Sequence, residues 1–176
     1  MSAAAAGSVI WITGLPGSGK TTISEALVPL LRERRLCVAR VDGDVIRRVM
    51  GSDLGYTQVD RLLNAQRISR LCAELANQGL TVVCATVSLF HEVHAWNREH
   101  CAGLCEVFVK VRPETLLERN QKGLYSGALA GEVEHVPGLN QDCQLPLQPH
   151  LVVENDAGAD PTELAARILR RLGQGA

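Results

Sequence analysis

The run Ser8-Val-Ile-Trp-Ile-Thr13, continued by Gly14-Leu-Pro-Gly-Ser-Gly-Lys20-Thr21-Thr22, decides the fold. Its first part is dominated by β-branched and aromatic residues and carries no charge, the composition of a buried strand. After Lys20, apolar residues recur at Ile23, Ala26, Leu27, Leu30 and Leu31, the spacing of one helix face. Between them the glycine-rich segment matches G-x-x-x-x-G-K-[ST] at every position. Strand, glycine loop and helix together make a phosphate cradle. The glycines let backbone N–H groups converge, and the helix N-terminus adds about half a positive charge. Lys20 is then within reach of β- and γ-phosphates, and the Thr21 hydroxyl is placed to ligate Mg²⁺. The segment predicts a nucleoside triphosphate site built from Gly14, Leu15, Pro16, Gly17, Ser18, Gly19, Lys20, Thr21 and Thr22. It does not say what receives the phosphate.

Outward from this motif, strands and helices alternate. Further strands are predicted at Leu36–Val41, Leu80–Val87, Leu104–Val111 and Leu151–Val153. Pro29 is expected to kink or shorten the first helix. A long helix starts near Thr57 and stops at Gly79, Pro113 opens another, and a last one follows Asp160-Pro161 with Leu164, Ile168, Leu169 and Leu172 on one stripe. Residues 120–149 are rich in Gly and Pro, show no sustained period and read as a functional lid. This is an α/β pattern with a parallel sheet. One domain over residues 8–173 is expected, preceded by a short flexible segment at 1–7.

Composition narrows the function. The chain has 176 residues, and 18 Lys+Arg balance 19 Asp+Glu, so no nucleic-acid partner is expected. No apolar run reaches a membrane span, and no signal peptide is visible, so a cytoplasmic setting is expected. Six cysteines then read as reduced thiols, Cys72 and Cys84 as core residues. A metal site at His100, Cys101 and Cys105 is a weaker reading, because a closed zinc site wants four ligands at tighter spacing. A GTPase would need an N-K-x-D reader, which Asn120-Gln121-Lys122-Gly123 does not supply. The small size suits a metabolite or nucleotide kinase instead of a mechanical ATPase.

A second constellation, Val41-Asp42-Gly43-Asp44 with Arg47 and Arg48, ends the second predicted strand. Ligands in open α/β sheets bind outside the carboxyl ends of strands. Two carboxylates there can divide the work, one orienting Mg²⁺ and one accepting the proton of an attacking hydroxyl. Gly43 would let the backbone turn, and Asp44 would serve as a helix N-cap. In the long helix the inward stripe Leu75, Leu71 (or Cys72), Ile68 continues backward to Asn64 and Arg61, with Arg67 next to it. An inward face that turns polar lines a cavity for an anionic ligand. The cluster His91, Glu92, His94 and Trp96 reads as further decoration of that cavity, as a surface helix, or as a metal site.

In order, GLPGSGKTT, VDGDVIR, LGYTQVDRLLNAQRI, a Ser-containing stretch after the third strand, and KGLYSGALAGE resemble the adenylylsulfate kinases. Those enzymes phosphorylate the ribose 3′-hydroxyl of adenosine 5′-phosphosulfate with ATP. The resemblance implies a three-layer P-loop kinase with a five-stranded parallel sheet and a lid. It implies ATP on Gly14 to Thr22 and Arg119, and Mg²⁺ on Thr21 and Asp42. Catalysis would fall to Lys20, Asp42 and Asp44, with Asp44 as base. The acceptor would lie on Arg47, Tyr56, Arg61, Asn64, Ser88, Lys122, Gly123 and Leu124. Whether the chain forms a homodimer stays open.

Three positions depart from the family pattern. Ser88-Leu89-Phe90-His91 stands for Ser-Pro-Tyr-Arg, so a histidine replaces an arginine. Arg119-Asn120 stands for Arg-Asp, which removes a carboxylate. His135-Val136-Pro137-Gly138 stands for Gly-Phe-Thr-Gly, so Val136 takes the place of a second aromatic wall around the base, unless His135 swings in. These departures keep two alternatives open: a 3′-kinase of a cytidine 5′-diphospho conjugate, and a catalytically silent ATP-binding domain.

Overall fold

Five parallel strands form the sheet, in the order β2-β3-β1-β4-β5. They are β1 (Ser8–Thr13), β2 (Val38–Asp42), β3 (Thr81–Thr86), β4 (Cys105–Lys110) and β5 (Leu151–Glu154). The computed structural model describes residues 7–50, 53–156 and 158–173. Most of the segment expected to be flexible, 1–7, therefore lies outside the described residues. The helices are α1 (Lys20–Glu33), α2 (Gly43–Met50), α3 (Gln58–Asn77), α4 (His91–His100), α5 (Pro113–Arg119), α6 (Leu124–Leu129) and α7 (Pro161–Gly173).

Strand alternation explains the three layers. In β1, Ile10 and Ile12 face one side and pack with Ile23, Leu27 and Leu31 of α1 and with Leu164 and Ile168 of α7. Val9 and Trp11 face the other side and pack with Ala65, Ile68 and Cys72 of α3 and with Val93 of α4. A central strand buried on both faces is apolar along its middle, and β1 is apolar from Val9 to Ile12. Cys101 lies in the second cluster and Cys105 in the first, so the sheet separates the two thiols and they do not form one metal site.

Three sequence expectations are corrected. Helix α1 does not stop at Pro29 and runs on to Glu33. Pro29 sits on the solvent side, as does Glu25, whose carbonyl loses its helical partner there, so water can replace the missing bond. The second strand starts at Val38, not Leu36. The segment 120–149 is not irregular throughout: a 3₁₀ turn at Gln121–Gly123 leads into α6. The period is invisible there because α6 has only six residues.

Candidate active site

The carboxyl ends of β1, β2 and β3 open into one cavity of about 1120 Å³. Of the sixteen sequence-predicted residues that line it, those from the first glycine loop are Pro16, Gly17, Gly19, Lys20, Thr21 and Thr22. Asp42, Asp44, Arg47, Tyr56, Arg61 and Asn64 form a second group, and Ser88, Arg119, Lys122 and Leu124 complete the wall. Gly14, Leu15, Ser18 and Gly123 are not on that wall. Leu15 and Ser18 act behind it, as acceptors for other residues of the loop: the Leu15 carbonyl accepts from Lys20 Nζ at 2.7 Å, and the Ser18 carbonyl from Asn155 Nδ2 at 2.9 Å.

The loop is braced from several directions. Tyr125 Oη donates to the Pro16 carbonyl at 2.8 Å, and Arg119 donates to Gly17 at 3.2 Å and to the Asn155 carbonyl. Asn155 is buried and was not foreseen from sequence. It stands 2.6 Å from where a Cβ on Gly19 would be, and Gly19 has a φ of 94°. Close approach and left-handed backbone together require glycine there. Burial lowers the pKa of Lys20 to about 8, against the opposing pull of Asp44 and Asp42.

The two carboxylates differ sharply. Asp42 is buried; its Oδ2 accepts from Thr21 Oγ1 at 2.9 Å, and its Oδ1 accepts from the N–H groups of Asp44 at 2.9 Å and Val45 at 3.3 Å. Asp42, not Asp44, is therefore the cap of α2. Gly43 serves close packing and not a turn, since a Cβ there would lie 2.8 Å from Thr86 Oγ1. The Asp44 side chain is 77% exposed and meets only Lys122, at 3.3 Å. A hydroxyl beside a carboxylate is a hard oxygen set, and Thr21 with Asp42 fits Mg²⁺ held by one carboxylate plus phosphates. Among the described residues no cluster of three His, Cys, Asp or Glu offers a fuller cage.

On the other side of the cavity, Arg47 and Arg61 both stack on the Tyr56 ring, with Cζ 4.8 and 5.2 Å from its centroid. Arg61 also donates from Nε to the Tyr56 carbonyl at 3.1 Å and from Nη2 to the His135 carbonyl at 2.8 Å. It thereby ties the long helix to the lid. Asn64 is buried on the same face of α3. Arg67 is not part of the cavity; it forms a bidentate pair with Asp53, at 2.9 and 2.7 Å. Ser88 is buried, with Oγ 2.8 Å from Thr86 Oγ1.

The departures resolve as follows. Asn120 caps the lid helix: its Oδ1 accepts from the N–H groups of Tyr125 and Ser126 at 3.2 and 3.0 Å. Its φ of 38° is left-handed, a conformation that Asn tolerates well. His91 does not reach the cavity; its Nε2 donates to the Leu145 carbonyl at 3.0 Å. Glu92, His94 and Trp96 are likewise off the cavity wall, so the expected acceptor-site decoration is corrected. Glu92 accepts from Gln66, and Trp96 stacks on His100. Val136 lines the cavity but is 2% exposed, packed with Val111, Leu116 and Tyr125, whereas His135 and Tyr56 both line the cavity with open side chains.

Comparisons with known proteins show the family. An Adenylyl-sulfate kinase of Paraburkholderia xenovorans is 40% identical over 154 residues, covering 87% of this chain and 86% of the relative. The Cytidine diphosphoramidate kinase of Campylobacter jejuni is 32% identical over 164 residues, covering 93% and 95%. The structure of a Mycobacterium tuberculosis APS kinase in complex with AMPPNP and APS superposes with a TM-score of 0.88 at 31% identity, covering 95% of this chain and 98% of that one. The sequence model of the family described as Adenylylsulphate kinase matches residues 6–154, from the first strand through the lid to the last strand, and the chain belongs to that family.

Proposed function

We propose that this chain is an ATP-dependent kinase that phosphorylates the ribose 3′-hydroxyl of adenosine 5′-phosphosulfate. One observation carries the reading. A single cavity joins the phosphate cradle, the acidic pair and the Tyr56–Arg61–Asn64 wall, so donor and acceptor can meet without crossing solvent. The kinase domain spans residues 8–173, with the lid at 120–149 and a cytoplasmic setting.

Each group then has a task. Backbone N–H groups of Gly14 to Thr22 and the Arg119 side chain hold the ATP phosphates. Lys20, pre-placed by the Leu15 carbonyl, neutralises charge on the moving γ-phosphoryl group. Thr21 and Asp42 would hold Mg²⁺, which would supply charge neutralisation on the phosphate oxygens. The acceptor 3′-oxygen attacks the γ-phosphorus in line. Its bond forms as the bond to the β,γ-bridging oxygen breaks, its proton passes to Asp44, and ADP leaves. Asp44 is the exposed carboxylate and is free to take a proton; Asp42 is committed to Thr21 and the α2 cap. Arg47, Tyr56, Arg61, Asn64 and Ser88 position the acceptor, and Lys122, Gly123 and Leu124 close over it.

The second reading, a cytidine 5′-diphospho conjugate as acceptor, is favoured by Val136, where the base has lost an aromatic wall. An ATP-consumption screen over adenosine 5′-phosphosulfate and cytidine and uridine 5′-diphospho conjugates tests both. Turnover led by adenosine 5′-phosphosulfate is expected. Turnover led by a cytidine conjugate moves the acceptor assignment, and ATP binding without any turnover makes the chain a silent domain.

A further inference from the structure

A buried polar cluster around α4 takes no part in the chemistry above. The side chains of His94 and Glu106 are each 2% exposed. His94 Nε2 lies 2.9 Å from the Ser88 carbonyl. Nδ1 lies 2.9 Å from Glu106 Oε1, but neither of these two buried atoms has a hydrogen-bond partner. A carbonyl oxygen only accepts, so Nε2 carries the proton of the first contact. Glu106 Oε2 is paired with Arg98, whose Nη2 also donates to the Gln148 carbonyl at 3.0 Å. Gln148 lies where the lid returns toward β5. The seam continues beside it: the N–H of Gln144 donates to the Leu89 carbonyl at 2.9 Å, and the N–H of His91 to Gln144 Oε1 at 2.7 Å.

This seam meets the active site at Ser88, which lines the cavity with a φ of 23°. A serine stays in that left-handed region only when its surroundings impose it. We propose that His94 is a positioning residue for the acceptor half of the site. With Glu106 and Arg98 it clamps the strained Ser88 turn and the root of the lid as one unit. The inference rests on the acceptor reading given above. A buried carboxylate needs its partner, so Glu106 depends on Arg98, and Arg98 in turn holds the Gln148 carbonyl at the root of the lid. Without His94 the Ser88 carbonyl has no donor, the turn relaxes, and Ser88 Oγ and the neighbouring Leu89 wall shift. The braces of the phosphate loop, Lys20, Tyr125 and Asn155, touch none of these residues, so the ATP side is spared.

The test uses His94→Leu, His94→Gln and Arg98→Met, with both substrates varied. In His94→Leu the acceptor KM rises about tenfold, as for loss of one buried hydrogen bond, while the ATP KM stays within about twofold. His94→Gln keeps an amide donor for the Ser88 carbonyl and recovers most of the loss. Arg98→Met, at a partly exposed position, keeps the test open should His94→Leu fail to fold, and shows a smaller rise of the same kind. Amide hydrogen exchange on the free proteins reads the clamp without any acceptor: it quickens at 88–91 and 143–150 and is unchanged at 14–21. Equal rises in both KM values, or a lower Tm with both KM values and the exchange unchanged, leave His94 purely structural and overturn the proposal. If the unsubstituted protein phosphorylates no nucleotide, the acceptor reading fails, and hydrogen exchange still decides the clamp.

Discussion

The donor and acceptor halves of the cavity are built on different principles. On the donor side the phosphate loop is a continuous stretch of chain, and each brace on it is a single buried or half-buried contact from elsewhere: Asn155, Arg119 and Tyr125. On the acceptor side no stretch is sufficient. Tyr56, Arg61, Asn64, Ser88 and His135 come from three separate parts of the chain, and Arg61 joins two of them with one guanidinium. In the proposed function the donor half would meet a constant group, a triphosphate, with backbone N–H groups that no side-chain substitution removes, and the acceptor half would meet a variable group with side chains.

The comparison can be broken most decisively at Lys20. Lys20→Ala is expected to lower kcat about a thousandfold, because charge on the transferring group loses its fixed cation. Steady-state turnover checks this, and near-normal kcat would remove the donor half from the mechanism. Next in size is Asp44→Asn, which should lower kcat about a hundredfold with little change in ATP affinity, since an amide accepts no proton. A loss confined to ATP affinity would reassign Asp44 to the metal and move the base to Asp42. On the acceptor side, Tyr56→Ala should raise the acceptor KM about 5- to 150-fold, the cost of one lost stacking partner, and leave the ATP KM alone. Parallel rises in both would erase the distinction between the halves.

Smaller effects sharpen it. Lys20 is held at about pH 8 by burial, below its ordinary range. In the free enzyme kcat/KM for ATP should fall above about pH 8, by about tenfold per pH unit, as the cation is lost. Stability has the opposite sign. Between about pH 8 and the ordinary lysine range, the unfolded chain holds a proton at Lys20 that the folded chain has released. Stability from this group therefore rises with pH across that window. A pH series of Tm values, referred to Lys20→Met, measures it. The smallest expected effect is at Asn155→Ala. Loss of one buried hydrogen bond to the Ser18 carbonyl should weaken ATP binding up to about tenfold, with the acceptor KM unchanged.

The elements themselves were legible because their signals are local. The strand Ser8–Thr13 has the predicted boundaries, and the helix stop at Gly79, the start at Pro113 and the stripe Leu164, Ile168 each follow from a few neighbouring residues. Misreadings arose where a local rule had a non-local answer. Pro29 was tolerated because its side of α1 faces water, and Gly43 proved to be required by Thr86, more than forty residues away. The cluster at the start of α4 reads in sequence first as decoration of the acceptor cavity, yet His94 is turned toward Ser88 and Glu106 and away from the cavity.

The sequence by itself determined the phosphate loop, the alternation of strands and helices, and the polar stretch of α3 that faces the cavity. Each of these depends on spacing within a turn or two of chain, where covalent geometry fixes which side chains share a face. Only the tertiary structure decided that Asp42 is bound to Thr21 and Asp44 meets Lys122 of the lid, that Arg61 braces Tyr56 to the lid, and that Asn155 underpins Ser18 from 137 residues away. Such contacts leave no periodic trace, because packing of the sheet brings the partners together and nothing in the intervening chain has to encode the distance.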